Sequence, residues 1–150
     1  VVAADERSAD DSPSCDVDVE RWQRLARAAL LTEGASGELT LTFIDVDDIA
    51  ELNAEHMGKT GPTDVLSFPL DDEQLITPDG EVIPALLGDV VLSPAIAGAQ
   101  FADHAGTYED ELALLGVHGV LHILGHDHAE PVEAAAMRAR ELALLTEHHW

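Results

Sequence analysis

The sequence HGVLHILGHDH, residues 118–128, carries the strongest structural and chemical signal in this chain. Its histidines His118, His122 and His128 follow a His-x3-His-x5-His spacing. Residues four apart on a helix lie on one face, about 6 Å apart along the axis, so the first two imidazoles can reach one metal ion. Gly125 can adopt the left-handed conformation that ends a helix, and the returning chain would bring His128 to the same point.

Three imidazoles with an open fourth position are typical of a catalytic zinc site rather than a structural one. The spacing therefore predicts one Zn²⁺ per chain, held by His118, His122 and His128. Metzincin proteases share this spacing, but their motif has a glutamate directly after the first histidine as general base. That position is Gly119 here, so a metallopeptidase is disfavoured.

The base has to come from elsewhere, or the metal alone has to lower the pKa of a bound water to about 7. Asp127, just before the third histidine, is our candidate catalytic residue. It can act as a base, or it can receive the second ring N–H of a metal-bound histidine, as carboxylates usually do in such sites. An acid in the turn after a helix is the alternative interpretation.

Three segments together resemble the YbeY family of bacterial endoribonucleases. They are the histidine motif, the block PTDVLSFP at residues 62–69, and GDVVL at residues 88–92, in the family's order and spacing. The resemblance covers the chain from about Leu39 to Glu147. It implies a zinc-dependent endoribonuclease that cleaves single-stranded RNA, matures the 3′ end of the small-subunit ribosomal RNA precursor and acts in ribosome quality control. It also implies ribosomal RNA and the ribosome as partners, and not DNA. The sequence has neither an apolar run of membrane-spanning length nor a signal pattern, which predicts a cytoplasmic protein without a membrane partner.

One position departs from the family pattern. The family commonly has an arginine shortly before TDVLSFP, where it is thought to hold an RNA phosphate, and Met57 stands there in this chain. A thioether cannot neutralise a phosphate oxygen, whereas a guanidinium binds one bidentately. Lys59 is close by and can supply a point charge. We take Lys59, together with Ser67 of the TDVLSFP block, as candidate substrate-binding residues.

The composition is unusual for a protein that binds RNA. Seven Lys and Arg residues stand against thirty Asp and Glu, a formal net charge of −23. Nucleic-acid binders usually have a basic surface, because they displace counterions from phosphates. A predicted amphipathic helix carries three arginines at every third position, Arg21, Arg24 and Arg27. They form either a solvated face of the helix or a contact surface for RNA. The sequence leaves two other function classes open: a metallopeptidase, and a non-catalytic ribosome-associated protein that uses zinc for stability.

Hydrophobic periodicity predicts an α+β fold with a small mixed sheet of about four strands and about five helices. The histidine-bearing helix is apolar on nearly every side, which favours a central position. Thr107 followed by Asp110 is typical of its N-terminal cap, and Pro78-Asp79-Gly80 predicts a turn. Residues 1–14 are polar and acidic enough to predict a disordered leader, before a single metal-dependent hydrolase domain at residues 15–150.

Overall fold

The computed structural model describes residues 1–8, 16–70, 75–83, 85–126 and 129–150, with the backbone alone at residues 75, 76, 82 and 83. In chain order these residues form β1 Val2–Asp5, α1 Val19–Thr32, β2 Glu38–Phe43, α2 Val46–Met57, β3 Val65–Pro69, β4 Leu75–Ile76, β5 Val82–Ile83, β6 Leu86–Leu92, α3 Pro94–Gln100, α4 Tyr108–Ile123 and α5 Pro131–His148. One 3-10 turn, Phe101–Asp103, follows α3 directly. The α+β class and the approximate number of elements predicted from the sequence are confirmed.

Four strands form one mixed sheet in the order β1-β2-β6-β3. β1, β2 and β6 run parallel to one another, whereas β3 runs antiparallel to β6. β3 is therefore an edge strand of this sheet, and its residues face the two sides of the sheet alternately. β4 and β5 form a separate hairpin. The predicted turn closes it at Gly80, whose φ is +83°.

Helices cover both faces of the sheet, and the alternation along β6 shows how the faces divide. Val90 and Leu92 belong to the larger core, which includes buried residues of α1, α4 and α5. Val91, between them, belongs to a smaller core with Ile49 of α2. The site described below lies on the side of the larger core, where α4 packs against β3 and β6.

Both ends of α4 form as predicted. The Thr107 side chain caps the helix by accepting a hydrogen bond from the Asp110 backbone N–H at 3.1 Å. At the other end Gly125 has a φ of +97°, which a residue with a side chain rarely adopts. Its N–H donates to the His122 carbonyl, and the next N–H, of His126, donates to Leu121. This closure places His122 in the last turn and sends the chain back directly after it.

The disordered leader predicted for residues 1–14 is wrong for Val2–Asp5, which pair in parallel with β2 as strand β1. The first four residues, VVAA, are apolar and partly β-branched, and the open edge of β2 offers them backbone partners. The acidic residues that follow dominate the composition of the segment and hide this strand. Residues 9–15 lie outside the described residues, and the boundary of the domain at residue 15 stays a prediction.

Candidate metal centre and cleft

Helix α4 brings His118 and His122 together as their spacing predicts. Their Nε2 atoms are 3.1 Å apart, and their ring centroids are 4.6 Å apart with an interplanar angle of 77°. Two nitrogen ligands about 2.05 Å from a tetrahedral zinc ion lie roughly 3.3 Å from each other. The pair therefore fits a shared metal ion closely.

A buried carboxylate behind the pair orients His118. Glu141 of α5 is only 4% exposed, and its Oε1 accepts a hydrogen bond from His118 Nδ1. The other carboxylate oxygen accepts a bond from Arg138 Nη1 at 3.3 Å. An ionised carboxylate only accepts, so this contact fixes the proton on Nδ1 and leaves the Nε2 lone pair for a metal.

Two opposing effects act on the pKa of Glu141. Burial raises it, but the hydrogen bond from His118 and the smaller contribution of Arg138 outweigh burial, and the pKa lies below its usual range. The carboxylate is thus charged at neutral pH, as an orienting partner of a metal ligand should be.

Sequence reasoning missed Glu141 and assigned the carboxylate role to Asp127. A usable signal was present: the buried face of α5 consists of Met137, Glu141, Leu144 and Leu145, so an acid occupies an apolar stripe. A charged residue in that position is almost always paired. Its partner lies 23 residues away in sequence, which no local pattern reveals.

Gly119 is required by close packing between α4 and the sheet. A Cβ atom added there would lie 2.5 Å from Val90 Cγ1 and 3.3 Å from Ser67 Oγ. Ser67 in turn donates a hydrogen bond to the Gly119 carbonyl at 3.0 Å. The position that carries the glutamate base in metzincins therefore has no room for any side chain.

An open cleft of about 610 Å³ lies in front of the histidine pair. Its lining includes His118, His122, Met57 and both candidate substrate-binding residues, Lys59 and Ser67. The Ser67 hydroxyl proton is already donated to the Gly119 carbonyl, so in this arrangement the side chain offers a ligand only its oxygen. The candidate residues are thus brought together at one site, while their roles stay predictions.

The loop that carries Lys59 is held by a residue that sequence reasoning did not select. Asn53, 5% exposed, donates a hydrogen bond from Nδ2 to the Gly61 carbonyl at 2.9 Å. The backbone carbonyl of Asn53 accepts a hydrogen bond from the Lys59 N–H at 3.3 Å. Asn53 is itself a lining residue of the cleft and holds this loop in place. The available signal was its position one helical turn after Ile49, on the buried face of α2.

Two predicted site residues, Asp127 and His128, lie outside the described residues. Among the residues that are described, no three His, Cys, Asp or Glu side chains form a group able to hold a metal. Arg21 and Arg24 line a different pocket, of about 310 Å³, with His148 and His149. The arginine stripe of α1 is thus not part of the described lining of the histidine cleft.

An oriented histidine pair facing an open cleft is typical of metal-dependent hydrolases. A profile of the family Endoribonuclease YbeY matches residues 7–149. The chain is similar to Endoribonuclease YbeY of Salinispora tropica, with 46% identity over 137 residues and 87% of each chain covered. It is also similar to Endoribonuclease YbeY of Thermobifida fusca, with 44% identity, 85% of this chain and 84% of the other covered.

The solution structure of TM1509 from Thermotoga maritima has the same fold, with a TM-score of 0.57. The match covers 97% of this chain and 91% of that one at 21% identity, and so bears on the fold alone. The sequence matches are close and nearly full-length. This chain belongs to the endoribonuclease YbeY family.

Proposed function

We propose that this protein is an endoribonuclease that cleaves single-stranded RNA within the cleft in front of His118 and His122. The observation that carries the proposal is the oriented histidine pair at the cleft, in a chain whose relatives are named endoribonucleases. Within that proposal, the biological substrate is the small-subunit ribosomal RNA precursor near its 3′ end, with a further role in ribosome quality control in the cytoplasm. No helix in the described part of the chain is long and apolar enough to span a membrane.

His118, His122 and His128 are the proposed zinc ligands, with Glu141 orienting the first of them. When bound, zinc supplies a Lewis acid for phosphoryl oxygens and lowers the pKa of a coordinated water. The separation of the two Nε2 atoms and the deprotonated state of the Glu141 partner support this assignment. Chelation should lower the melting temperature of the wild type, because the metal binds the folded chain, and should change His122→Ala little.

The chain's own residues contribute positioning and charge. Lys59, exposed at the cleft wall, attracts the RNA backbone, and the Ser67 oxygen accepts a hydrogen bond from a ribose hydroxyl. Two routes to cleavage stay open: attack by water, and attack by the RNA's own 2′-hydroxyl. Analysis of the product ends distinguishes them, since only the second leaves a 2′,3′-cyclic phosphate.

The two alternative functions have less support. A metallopeptidase of the metzincin type needs a glutamate base directly after the first histidine. A Cβ atom at Gly119 would lie 2.5 Å from Val90 Cγ1, so this position has no room for one. A non-catalytic zinc protein is compatible with Met57 and with the charge of −23. The relatives of this chain, however, are named as nucleases.

The test is cleavage of a labelled single-stranded RNA by purified protein, beside a duplex of the same sequence and an unstructured peptide. We expect cleavage of the single strand alone, lost in His118→Ala. His148→Ala is the matched control, because His148 bonds to Thr32 at the far end of α5 and lies outside the cleft. Peptide cleavage would favour the peptidase, and no cleavage of any substrate would favour the non-catalytic protein.

A further inference from the structure

The cleft continues beyond His118. A second cavity, of about 250 Å³, shares Asp64, Val65 and His118 with the main cleft. A third, of about 240 Å³, shares lining residues with the second, among them His104 and Arg138. Because each cavity shares lining residues with the next, the three lie side by side from the histidine pair to the end of α5, and we call this row of adjoining cavities the groove.

Arg138 lies along the far part of this groove. It lines both of the further cavities, and its side chain is 56% exposed. A guanidinium has five N–H donors, and the bond to Glu141 is made by Nη1. Lys59 lines the groove on the near side of His118. In a chain with only seven Lys and Arg residues, the groove thus has a cation on each side of the histidine pair.

Acidic side chains also border the groove, and the chain supplies donors to each of them. Asp64 accepts from Gln100 Nε2 and from the Val65 N–H, at 3.0 and 2.8 Å. Glu141 accepts from His118 and Arg138, and Asp110 from His149 and Trp150. These bonds draw the carboxylates toward protein donors and reduce their repulsion of a passing anion.

An aromatic surface lies at the far end. Trp150 lines the third cavity, is 62% exposed, and is held by a 3.3 Å bond from Nε1 to Asp110. Exposed aromatic rings beside cations are the usual elements of single-strand binding, because every base has a face that can stack.

We propose that the three cavities form one track for single-stranded RNA, in which Arg138 binds a backbone phosphate beyond the cleavage site and Trp150 stacks against a base. The track extends the binding surface to the far side of the histidine pair, opposite Lys59. This inference rests on the proposed function, because it concerns the same substrate and the same cleft.

The test is a binding titration with two single-stranded RNAs, of about 4 and about 12 nucleotides, at several salt concentrations. Arg138→Ala should weaken binding of the longer RNA about 5- to 20-fold. A plot of the logarithm of the binding constant against the logarithm of the salt concentration should also become less steep, by about 0.7. One phosphate contact on a single strand contributes a slope of about that size. A side chain with a purely structural role would not change this slope.

Arg140→Ala is the matched control. Arg140 is on the same helix and is also paired with an acid, Glu33, at 2.7 Å, but it is not among the lining residues of the groove. Both substitutions make the net charge more negative by one, so general repulsion cancels in the comparison. Arg138→Lys should restore the wild-type salt dependence. Trp150→Ala should weaken binding of the longer RNA, whereas Trp150→Phe, which keeps an aromatic ring, should bind it as the wild type does.

Equal slopes and affinities for Arg138→Ala and Arg140→Ala would overturn the track. So would parallel loss of affinity and metal content in both Arg138→Ala and Arg138→Lys, because Arg138 would then act only through Glu141 on His118. Cleavage by the wild type and its loss in His118→Ala are measured in the same series. The proposed function can therefore stand while the track fails.

Discussion

Gly119 connects the packing of the sheet to the chemistry of the cleft. Because α4 lies against Val90 and Ser67, the residue after the first histidine has no space for a side chain. The same contact brings the histidine pair close to β3 and its loop. A substitution at this position therefore tests the packing that holds the site.

We expect Gly119→Ala to reduce the free energy of unfolding by about 1–3 kcal/mol, because the new methyl group meets a branched core side chain 2.5 Å away. Gly116→Ala is the control on the same helix. A Cβ there meets nothing within 4 Å, so it should be neutral or stabilise by up to about 1 kcal/mol through helix propensity. Urea unfolding of both variants gives the comparison, and equal effects would contradict the packing argument.

Glu141→Gln tests the residue that orients His118. An amide can still accept through its oxygen, but it lacks the charge that favours donation from Nδ1, so we expect metal affinity to fall about 10- to 100-fold. Competition with a chelator measures this. Glu133→Gln, on the exposed face of α5, is the control and should keep wild-type affinity. Unchanged affinity in Glu141→Gln would remove Glu141 from the metal site.

The residues of the site differ in how far the sequence predicts them. His118 and His122 follow from helical geometry, since their separation depends on one helix alone. Glu141 and Asn53 act through tertiary contacts, to His118 and to the loop before β3, that only the packed fold defines. Local spacing therefore predicts that His118 and His122 lie together, but not which residues hold them and shape the cleft.

At the level of the elements, α4 and α5 are joined at one end by a hydrogen bond between side chains. His149, just after α5, donates from Nε2 to Asp110 in the first turn of α4 at 2.8 Å. Arg21 of α1 lies 3.5 Å from the other ring nitrogen. This hydrogen bond from His149 is the main cause that holds the pKa of Asp110 below its ordinary value. The contact ties the N-terminal end of the histidine helix to its neighbour.

Asp110→Asn should lower stability at neutral pH, and the difference from wild type should disappear in acid. A carboxyl group whose pKa is lower in the folded state stabilises the fold above its unfolded pKa, about 3.9. That contribution is lost as the pH falls through the lower, folded value. Urea unfolding at pH 7 and at successively lower pH measures it, with Glu109→Gln, an exposed acid in the same turn, as control. A difference that persists in acid would mean that charge is not its source.

Elements were predictable where their own sequence determines them. The cap at Thr107, the turn at Gly80 and the end of α4 at Gly125 all depend on local backbone chemistry. Strand β1 was not predictable, because its strand conformation depends on pairing with β2.

At the scale of the whole molecule, the charge of −23 surrounds a cleft that has to admit an anion. Lys59 is the one lysine in the sequence and lines that cleft. Screening by salt shortens the reach of the acidic surface to about 8 Å at physiological ionic strength. We therefore expect moderate salt to weaken RNA binding less than in a basic protein, or to strengthen it, because repulsion is screened along with attraction.

Met57→Arg should tighten binding of single-stranded RNA by about 1–3 kcal/mol through a charge-assisted contact. Met57 lines the cleft and is 42% exposed, so a longer cationic side chain has access to the substrate. Titrations at several salt concentrations measure the gain. Leu31→Arg, at an exposed position on α1 away from the cleft lining, controls for the change in net charge. Equal gains in the two variants would show that binding responds to total charge and not to this position.

The role of the histidine pair is tested most directly by measuring metal content and RNA cleavage on the same preparations of wild type and His118→Ala. We expect one zinc per wild-type chain, cleavage of single-stranded RNA, and loss of both in the variant. If His118→Ala has lost the metal but still cleaves RNA at the wild-type rate, the histidine pair is not the centre of the activity.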